Sequence, residues 1–120
     1  MRFYEILAAD FEHADERGKL TQLTHGGFRQ INVLETVSGV TRGGHYHKIS
    51  REAFFVASGS VTVTFTKDGE TETRTFLRGE FFLIPPFVSH SMFFPEDTVL
   101  VAMYDVPVEK DDGTKDIYSV

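Results

Sequence analysis

Hydrophobic and polar residues alternate with a period of two along much of this chain, as they do in β-strands with one buried face. In SVTVTFT, residues 60–66, the two valines and the phenylalanine point to one side and the threonines to the other. Asp68 and Gly69 follow, and this pair accepts the positive φ angles of a tight hairpin turn. The pattern therefore predicts that residues 60–66 pair antiparallel with residues 71–77.

Segments rich in β-formers recur about every ten residues, and the period of an amphipathic helix is not sustained anywhere. Pro85 and Pro86 lack backbone N–H donors, so they should separate two short strands. Residues 9–20 are expected to form a loop or a short helical turn. The remaining strand candidates are residues 2–8, 28–37, 43–48, 53–57, 81–84, 88–94 and 98–106.

These elements predict an all-β fold, a sandwich or a barrel, in one domain that spans residues 1–120. Residues 1–27 would form an amino-terminal strand or arm and a loop, residues 28–106 the barrel, and residues 107–120 a polar tail. A chain of 120 residues is long enough for one hydrophobic core. Its contents of 41% hydrophobic and 25% charged residues are those of an ordinary globular protein.

Composition narrows the chemistry that is available. The sequence has no cysteine, so thiolate chemistry is excluded and any metal must take nitrogen and oxygen ligands. The formal net charge of −6 disfavours nucleic acid as a partner, because phosphate binding needs clustered basic residues. No stretch approaches the ~20 apolar residues of a membrane span, and no signal-like segment opens the chain. We therefore expect a soluble, cytoplasmic protein that does not bind membranes.

Two histidines carry the most specific chemical signal. His45 and His47 are two residues apart on a predicted strand, so both imidazoles project from the same face. Glu52 follows at an odd offset and must return on the neighbouring strand, and His90 arrives from a distant one. Three imidazoles and a carboxylate would hold one divalent transition metal, either Zn, Fe, Mn or Ni. The alternative is that these histidines are hydrogen-bonded core residues. We assign the other two histidines of the chain, His13 and His25, to that class or to the surface.

His45, His47 and Glu52 also match the first motif of the cupin family, which the sequence resembles. That motif runs Gly, five residues, His-x-His, four residues, Glu, six residues, Gly. It is matched throughout by Gly39, His45, His47, Glu52 and Gly59.

The second cupin motif is matched in part. Gly79, Pro85 and His90 occupy their positions, whereas Phe87 replaces a glycine and Phe94 an asparagine. These departures touch no metal ligand. The resemblance implies a small jelly-roll β-barrel, and the homodimer that is common in this family. The apolar segment at the amino terminus is one candidate for the dimer contact.

A narrower resemblance points to a substrate. Residues 28–48 and the terminal DIYSV, residues 116–120, resemble the carboxy-terminal cupin domain of capsular-polysaccharide enzymes that act on nucleotide-linked 4-keto-6-deoxy sugars. Asp15, Arg17 and Gly18 resemble a DxRG-like element of sugar-nucleotide ketoisomerases and epimerases, although they also suit a polar turn.

This resemblance implies an epimerase or ketoisomerase in surface-polysaccharide biosynthesis, with proton transfer beside a ketone. In some ketoisomerases that lack the acidic ligand, the His-x-His pair transfers the proton directly, which makes His45 and His47 alternative catalytic residues. An Fe- or Ni-dependent dioxygenase and a non-catalytic sugar-binding module remain alternative functions.

Strand parity and charge give the predicted surroundings of the site. Side chains that share a face with Glu52 or His90, and polar ones on the strand over residues 28–37, would line the pocket. Basic residues near its rim would bind the anionic part of a nucleotide sugar. The predicted pocket residues are Gln30, Asn32, Phe54, Met92 and Phe94, and the anion-binding candidates are Arg42 and Lys48.

Overall fold

The computed structural model describes residues 3–119 of the chain, so Arg2 of the predicted strand 2–8 and Val120 of the tail lie outside it. Within this range all regular structure is β, as predicted, and no helix is available that could cross a membrane. The strands are β1 Glu5–Ile6, β2 Phe11–Asp15, β3 Gly18–Gln22, β4 Gln30–Thr36, β5 Thr41–Tyr46, β6 Glu52–Ser58, β7 Ser60–Lys67, β8 Glu70–Leu77, β9 Phe81–Ile84, β10 Ser89–Phe93, β11 Thr98–Tyr104 and β12 Tyr118–Ser119.

Two five-stranded sheets and one separate hairpin contain these strands. The first sheet has the order β1-β9-β6-β11-β4 and the second the order β12-β5-β10-β7-β8, with antiparallel pairing in both. The predicted β7–β8 hairpin is confirmed, and its turn uses positive φ angles at Asp68 (53°) and Gly69 (77°). Consecutive strands thus often belong to opposite sheets, which brings residues from distant parts of the sequence face to face.

An aromatic and aliphatic core lies between the two sheets. Phe76 and Phe82 stack with ring centroids 3.7 Å apart, and Phe54 stacks on Phe82 at 5.4 Å. The inward residues of SVTVTFT are fully buried, as the alternation predicted, whereas its threonines pair with those of β8 on the outer face. This packing fills one end of the space between the sheets and leaves polar side chains at the other.

The amino-terminal arm differs from the sequence-based expectation. Residues 9–20 were expected to form a loop or helical turn, but they form most of the β2–β3 hairpin. Its turn is closed by the carboxylate of Asp15, which accepts a hydrogen bond from the backbone N–H of Arg17 at 2.9 Å. The residues before the hairpin, Phe3 and Tyr4, are buried in this chain's own core, so they are not free to form a dimer contact.

Candidate metal centre and adjoining cavity

The four predicted ligands meet in the space between the sheets. His45 lies on β5, with His47 just beyond its end, and His90 is the register partner of His45 on β10 of the same sheet. Glu52 begins β6 in the opposite sheet, rather than on a strand paired with β5. One donor atom from each of the four residues lies within 4.8 Å of the others.

Gly43 allows this close approach of β5 and β10. Its φ is +98°, and a Cβ atom at this position would lie 2.8 Å from the carbonyl oxygen of His90. The strand pairing is irregular at the same point, between His90 and Ser91. An L-residue other than glycine would therefore be strained and would also push on the backbone of a ligand.

We expect Gly43→Ala to destabilise the fold by about 1–3 kcal/mol, from the strained φ alone, with a further loss from the contact. Gly39→Ala is the matched control, because Gly39 has a φ of +85° but open space around its Cβ position. Thermal unfolding and Zn²⁺ affinity would be measured for both. Equal effects of the two substitutions would show that the contact with His90 does not matter.

The imidazole rings of His47 and His90 are held in the same manner. The Nδ1 atom of His47 lies 2.6 Å from the carbonyl oxygen of Asp116, and that of His90 lies 3.3 Å from the carbonyl oxygen of Val88. A carbonyl only accepts, so each Nδ1 carries a proton and donates it. The two Nε2 atoms then face Oε1 of Glu52, at 2.9 Å from His47 and 3.4 Å from His90.

Electrostatic coupling within this group is strong because His47, Glu52 and His90 are each only 3% exposed. Burial would raise the pKa of Glu52, but the hydrogen bonds and positive charge of His47 and His90 outweigh it and lower that pKa to about 2. Burial would lower the pKa of His47, yet its bonds to Glu52 and Asp116 raise it. The half-buried His45 has a lowered pKa, through burial and repulsion from His90. Glu52 is therefore a carboxylate at neutral pH.

This donor set fits a divalent cation. Two Nε2 atoms are fixed toward one carboxylate oxygen by the backbone carbonyls behind them, which is how metal-binding histidines are usually oriented. A buried anion surrounded by imidazoles needs a positive charge, and a metal would supply it in place of the proton between His47 and Glu52. His45, His47, Glu52 and His90 would hold the metal.

A cavity of about 640 Å³ adjoins the cluster and reaches His45, Glu52 and His90. Its walls are partly apolar and partly polar, and solvent reaches it because Asn32 and Arg42 are exposed. The other lining residues are Ile31, Val33, Leu34, Gly43, Phe54, Met92 and Tyr104. A polar ligand with some apolar surface could lie directly against the four donors.

Comparison by sequence identifies the family. Residues 13–105 match the polysaccharide biosynthesis C-terminal domain family. The chain belongs to this family. The resemblance of residues 28–48 to capsular-polysaccharide enzymes is thereby confirmed, while a comparison with curated proteins finds no match.

Solved structures confirm that this member of the polysaccharide biosynthesis C-terminal domain family has the predicted jelly-roll cupin fold. A double mutant of the QdtA 3,4-ketoisomerase from Thermoanaerobacterium thermosaccharolyticum in complex with TDP is 23% identical, with a TM-score of 0.83 over 100% of this chain and 89% of that one. A mutant of that enzyme in complex with TDP-4-keto-6-deoxyglucose is 21% identical, with a TM-score of 0.79 over 88% and 82% of the two chains. A dTDP-4-dehydrorhamnose 3,5-epimerase from Sulfolobus tokodaii is 18% identical, with a TM-score of 0.70 over 84% and 74%.

Three of the five predicted pocket residues, Asn32, Phe54 and Met92, line the cavity. Gln30 and Phe94 do not. The side-chain oxygen of Gln30 accepts a hydrogen bond from the backbone N–H of Val108 at 3.0 Å, and Phe94 is fully buried in the core. Parity fixes the side of the sheet on which a residue lies, but not its depth between the sheets.

The two anion-binding candidates lie in different places. Arg42 is the only lysine or arginine among the described cavity-lining residues, and its Nε donates to Thr36 Oγ1 at 2.9 Å. Lys48 is not among them, because its ammonium lies 4.1 Å from the centre of the Tyr118 ring. Arg42 is therefore the cation that could meet a ligand in the cavity.

The remaining polar residues that the sequence singled out lie on the surface. His13 is exposed beside Asp15, and His25 is exposed beside Asp10. Asp15 and Arg17, of the DxRG-like element, form an ion pair in the turn of the β2–β3 hairpin, and within the described chain the cavity lining includes neither.

Tyr104 is a further residue of the cavity lining. It ends β11 as the register partner of Glu52, and its ring meets that of His47 edge-on with centroids 5.6 Å apart. Burial and the nearby charge of Glu52 raise its pKa, so the phenol keeps its proton at neutral pH. The signal in the sequence was its parity with the inward-facing Leu100 and Ala102.

Proposed function

We propose that this protein is a metal-dependent epimerase or ketoisomerase of a nucleotide-linked 4-keto-6-deoxy sugar in surface-polysaccharide biosynthesis. The observation that carries the proposal is the N₃O donor cluster open to a cavity with mixed polar and apolar walls. The structural relatives in complex with TDP and with TDP-4-keto-6-deoxyglucose support this class of substrate. The proposal also places the protein in the cytoplasm.

The chain's own residues would bind the sugar and handle its protons. A divalent Zn, Fe, Mn or Ni ion held by the four donors would supply Lewis-acid chemistry for a ketone. Asn32 can hydrogen-bond sugar hydroxyls, and Phe54 and Met92 can cover an apolar face such as a deoxy methyl group. Tyr104 offers a protonated phenol beside the donors, which suits the return of a proton to carbon or oxygen.

His45 provides the alternative route for proton transfer. Its ring is half-buried at the cavity, and its lowered pKa leaves it unprotonated at neutral pH and so able to accept a proton. In a metal-free mechanism it could remove the proton beside the ketone, with His47 next to it. Removal of metal with a chelator separates the two routes, because only the histidine route survives it.

Solvent exchange tests the proposed reaction. We expect TDP-4-keto-6-deoxyglucose incubated with the metal-loaded protein in D₂O to gain deuterium at the carbon beside the ketone, as seen by NMR. Absence of exchange with several 4-keto-6-deoxy sugar nucleotides would contradict the proposal. Oxygen consumption without exchange would instead support a dioxygenase, and binding without any turnover a sugar-binding module.

Arg42 is expected to bind the phosphate groups of the substrate. Loss of a charge-assisted hydrogen bond of about 1.5–3 kcal/mol predicts that Arg42→Leu raises KM by roughly 10–100-fold with little change in kcat. Lys48→Leu is the matched control, because its ammonium lies over Tyr118 outside the cavity. A KM raised by Lys48→Leu and unchanged by Arg42→Leu would reverse the assignment.

We also propose that the protein forms a homodimer through β4. This strand is at the edge of its sheet, and on its outward face Ile31, Val33 and Val37 beside it are 61%, 63% and 66% exposed, with the exposed Glu35 between them. An apolar strand edge is a surface that a second chain can cover. Val37→Asp should lower the mass measured by light scattering to that of a monomer, whereas Thr73→Asp on β8 should not. An unchanged mass for Val37→Asp would rule out this interface.

A further inference from the structure

The tail that follows β11 packs against His47 and the residues just after it, and one buried acidic residue of the tail makes these contacts. Asp116 is 1% exposed. Its carboxylate accepts hydrogen bonds from three consecutive backbone N–H groups, those of Lys48 at 2.9 Å, Ile49 at 3.0 Å and Ser50 at 2.8 Å. These three residues belong to the short link between His47 and Glu52, which crosses from one sheet to the other.

The same residue also holds the ring of a ligand. The backbone carbonyl of Asp116 accepts the hydrogen bond from Nδ1 of His47 at 2.6 Å. That bond fixes both the plane of the imidazole and the nitrogen that carries the proton, which leaves Nε2 facing Glu52. The side chain of Asp116 thus holds the link between His47 and Glu52, and its backbone carbonyl holds the His47 ring.

Asp116 is itself fixed to the barrel from several directions. Its N–H donates to the carbonyl of Val108 at 2.9 Å, and the N–H of Val108 donates to the Gln30 side chain at 3.0 Å. Two residues later, Tyr118 pairs with Tyr46 on β5. The carboxylate therefore cannot move without moving β4, β5 or the tail.

The carboxylate of Asp116 is a charged acceptor in a buried position. Lys48 and Ile49 are exposed, whereas Ser50 is fully buried, so the N–H of Ser50 needs a partner within the protein. Burial of a carboxylate is costly unless its hydrogen bonds are well formed, and such a site holds its partners rigidly. Rigid placement is what a metal site requires of the residues behind its ligands.

We infer that Asp116 is a positioning residue of the metal centre, which sets the orientation of His47 and the path of the chain from His47 to Glu52. The inference rests on the proposed function in one respect only, which is that the four donors form a metal site. It assigns a role in this site to the carboxy-terminal tail, which contributes no ligand to it.

The test compares Asp116→Asn with Asp111→Asn, an exposed acid of the same tail. Asparagine keeps the shape but has one acceptor oxygen for three N–H groups. We expect Asp116→Asn to weaken Zn²⁺ binding by about 10–100-fold, measured by competition with a chromophoric chelator, and Asp111→Asn to leave it unchanged. In the metal-free protein at alkaline pH, the ¹⁵N shifts of the His47 ring should change from one defined tautomer to a mixture in Asp116→Asn.

Unchanged Zn²⁺ affinity and an unchanged His47 ring in folded Asp116→Asn would overturn the inference, even if thermal stability falls. A readout on the unaltered protein covers the case in which this variant does not fold. There, Nδ1 of His47 should carry a proton that is protected from exchange, with a coupling across the hydrogen bond to the Asp116 carbonyl. Its absence would equally overturn the inference.

Failure of the proposed function would look different. If the unaltered protein binds no Zn²⁺, or exchanges no deuterium into a keto sugar, the metal or the reaction assignment fails. The His47 ring spectrum at alkaline pH, where the ring is neutral, still shows whether Asp116 sets its tautomer. If turnover occurs and Asp116→Asn leaves both affinity and spectrum intact, the function stands and the positioning role falls.

Discussion

Replacing Glu52 with glutamine is expected to abolish stoichiometric metal binding and to lower turnover by about 10³-fold. Glu52 is the only carboxylate in the cluster, and its Oε1 is the point toward which His47 and His90 are directed. The amide removes the negative charge and puts no strong ligand in its place. A metal typically supplies several kcal/mol of transition-state stabilisation, and each 1.4 kcal/mol is about tenfold in rate.

Metal content by elemental analysis and the rate of deuterium exchange would measure the two effects. Glu72→Gln is the control, because Glu72 is an exposed carboxylate on β8. Circular dichroism would establish that Glu52→Gln is folded. Full metal content in that variant would show that Glu52 is not a ligand, and full exchange without metal would favour the route through His45.

The ligand set could be predicted because its signal is local. The parity of His45 and His47 puts two rings on one face whatever the rest of the fold does. The odd offset of Glu52 showed that the strand must be interrupted, but not that the chain crosses to the opposite sheet. That crossing depends on the order of strands in both sheets, which is set by pairings between residues far apart in sequence.

The cavity could be predicted only in part. Parity placed Phe54 and Met92 correctly, but parity alone does not show whether the polar face of β4 points inward or to solvent. The structure turns that face inward, so Asn32 lines the cavity, while Val33 contributes to the cavity lining but is 63% exposed. This inversion of the usual pattern is favourable when a polar ligand occupies the interior and a partner covers the exterior.

The contacts of the tail with the metal ligands could not be predicted from the local sequence of the tail. Asp116 is 69 residues from His47. Its carboxylate oxygens can accept hydrogen bonds from three N–H groups of a distant loop only when the fold brings those groups together. From composition alone, a polar sequence such as residues 107–119 predicts a solvated tail. The β2–β3 hairpin was missed for a related reason, since its strands are short and largely exposed on both faces.

Tyr104→Phe is expected to lower kcat by about 10²-fold or more, the lower end of what general acid catalysis contributes. The substitution removes only the hydroxyl of a cavity-lining residue, and it keeps the ring that packs on His47. Metal content, fold and KM should stay close to those of the unaltered protein. The pKa of Tyr104 is raised, so its hydroxyl is a proton donor across the neutral range.

Steady-state kinetics and deuterium exchange would test this donor role, with Tyr118→Phe as the control because Tyr118 stacks near Tyr46, away from the cavity. If Tyr104 returns the proton, product formation should fall more than the exchange that follows proton removal, because only the return step is impaired. An equal loss of both, together with loss of metal, would mean that Tyr104 acts by holding Glu52. An unchanged kcat would exclude both roles.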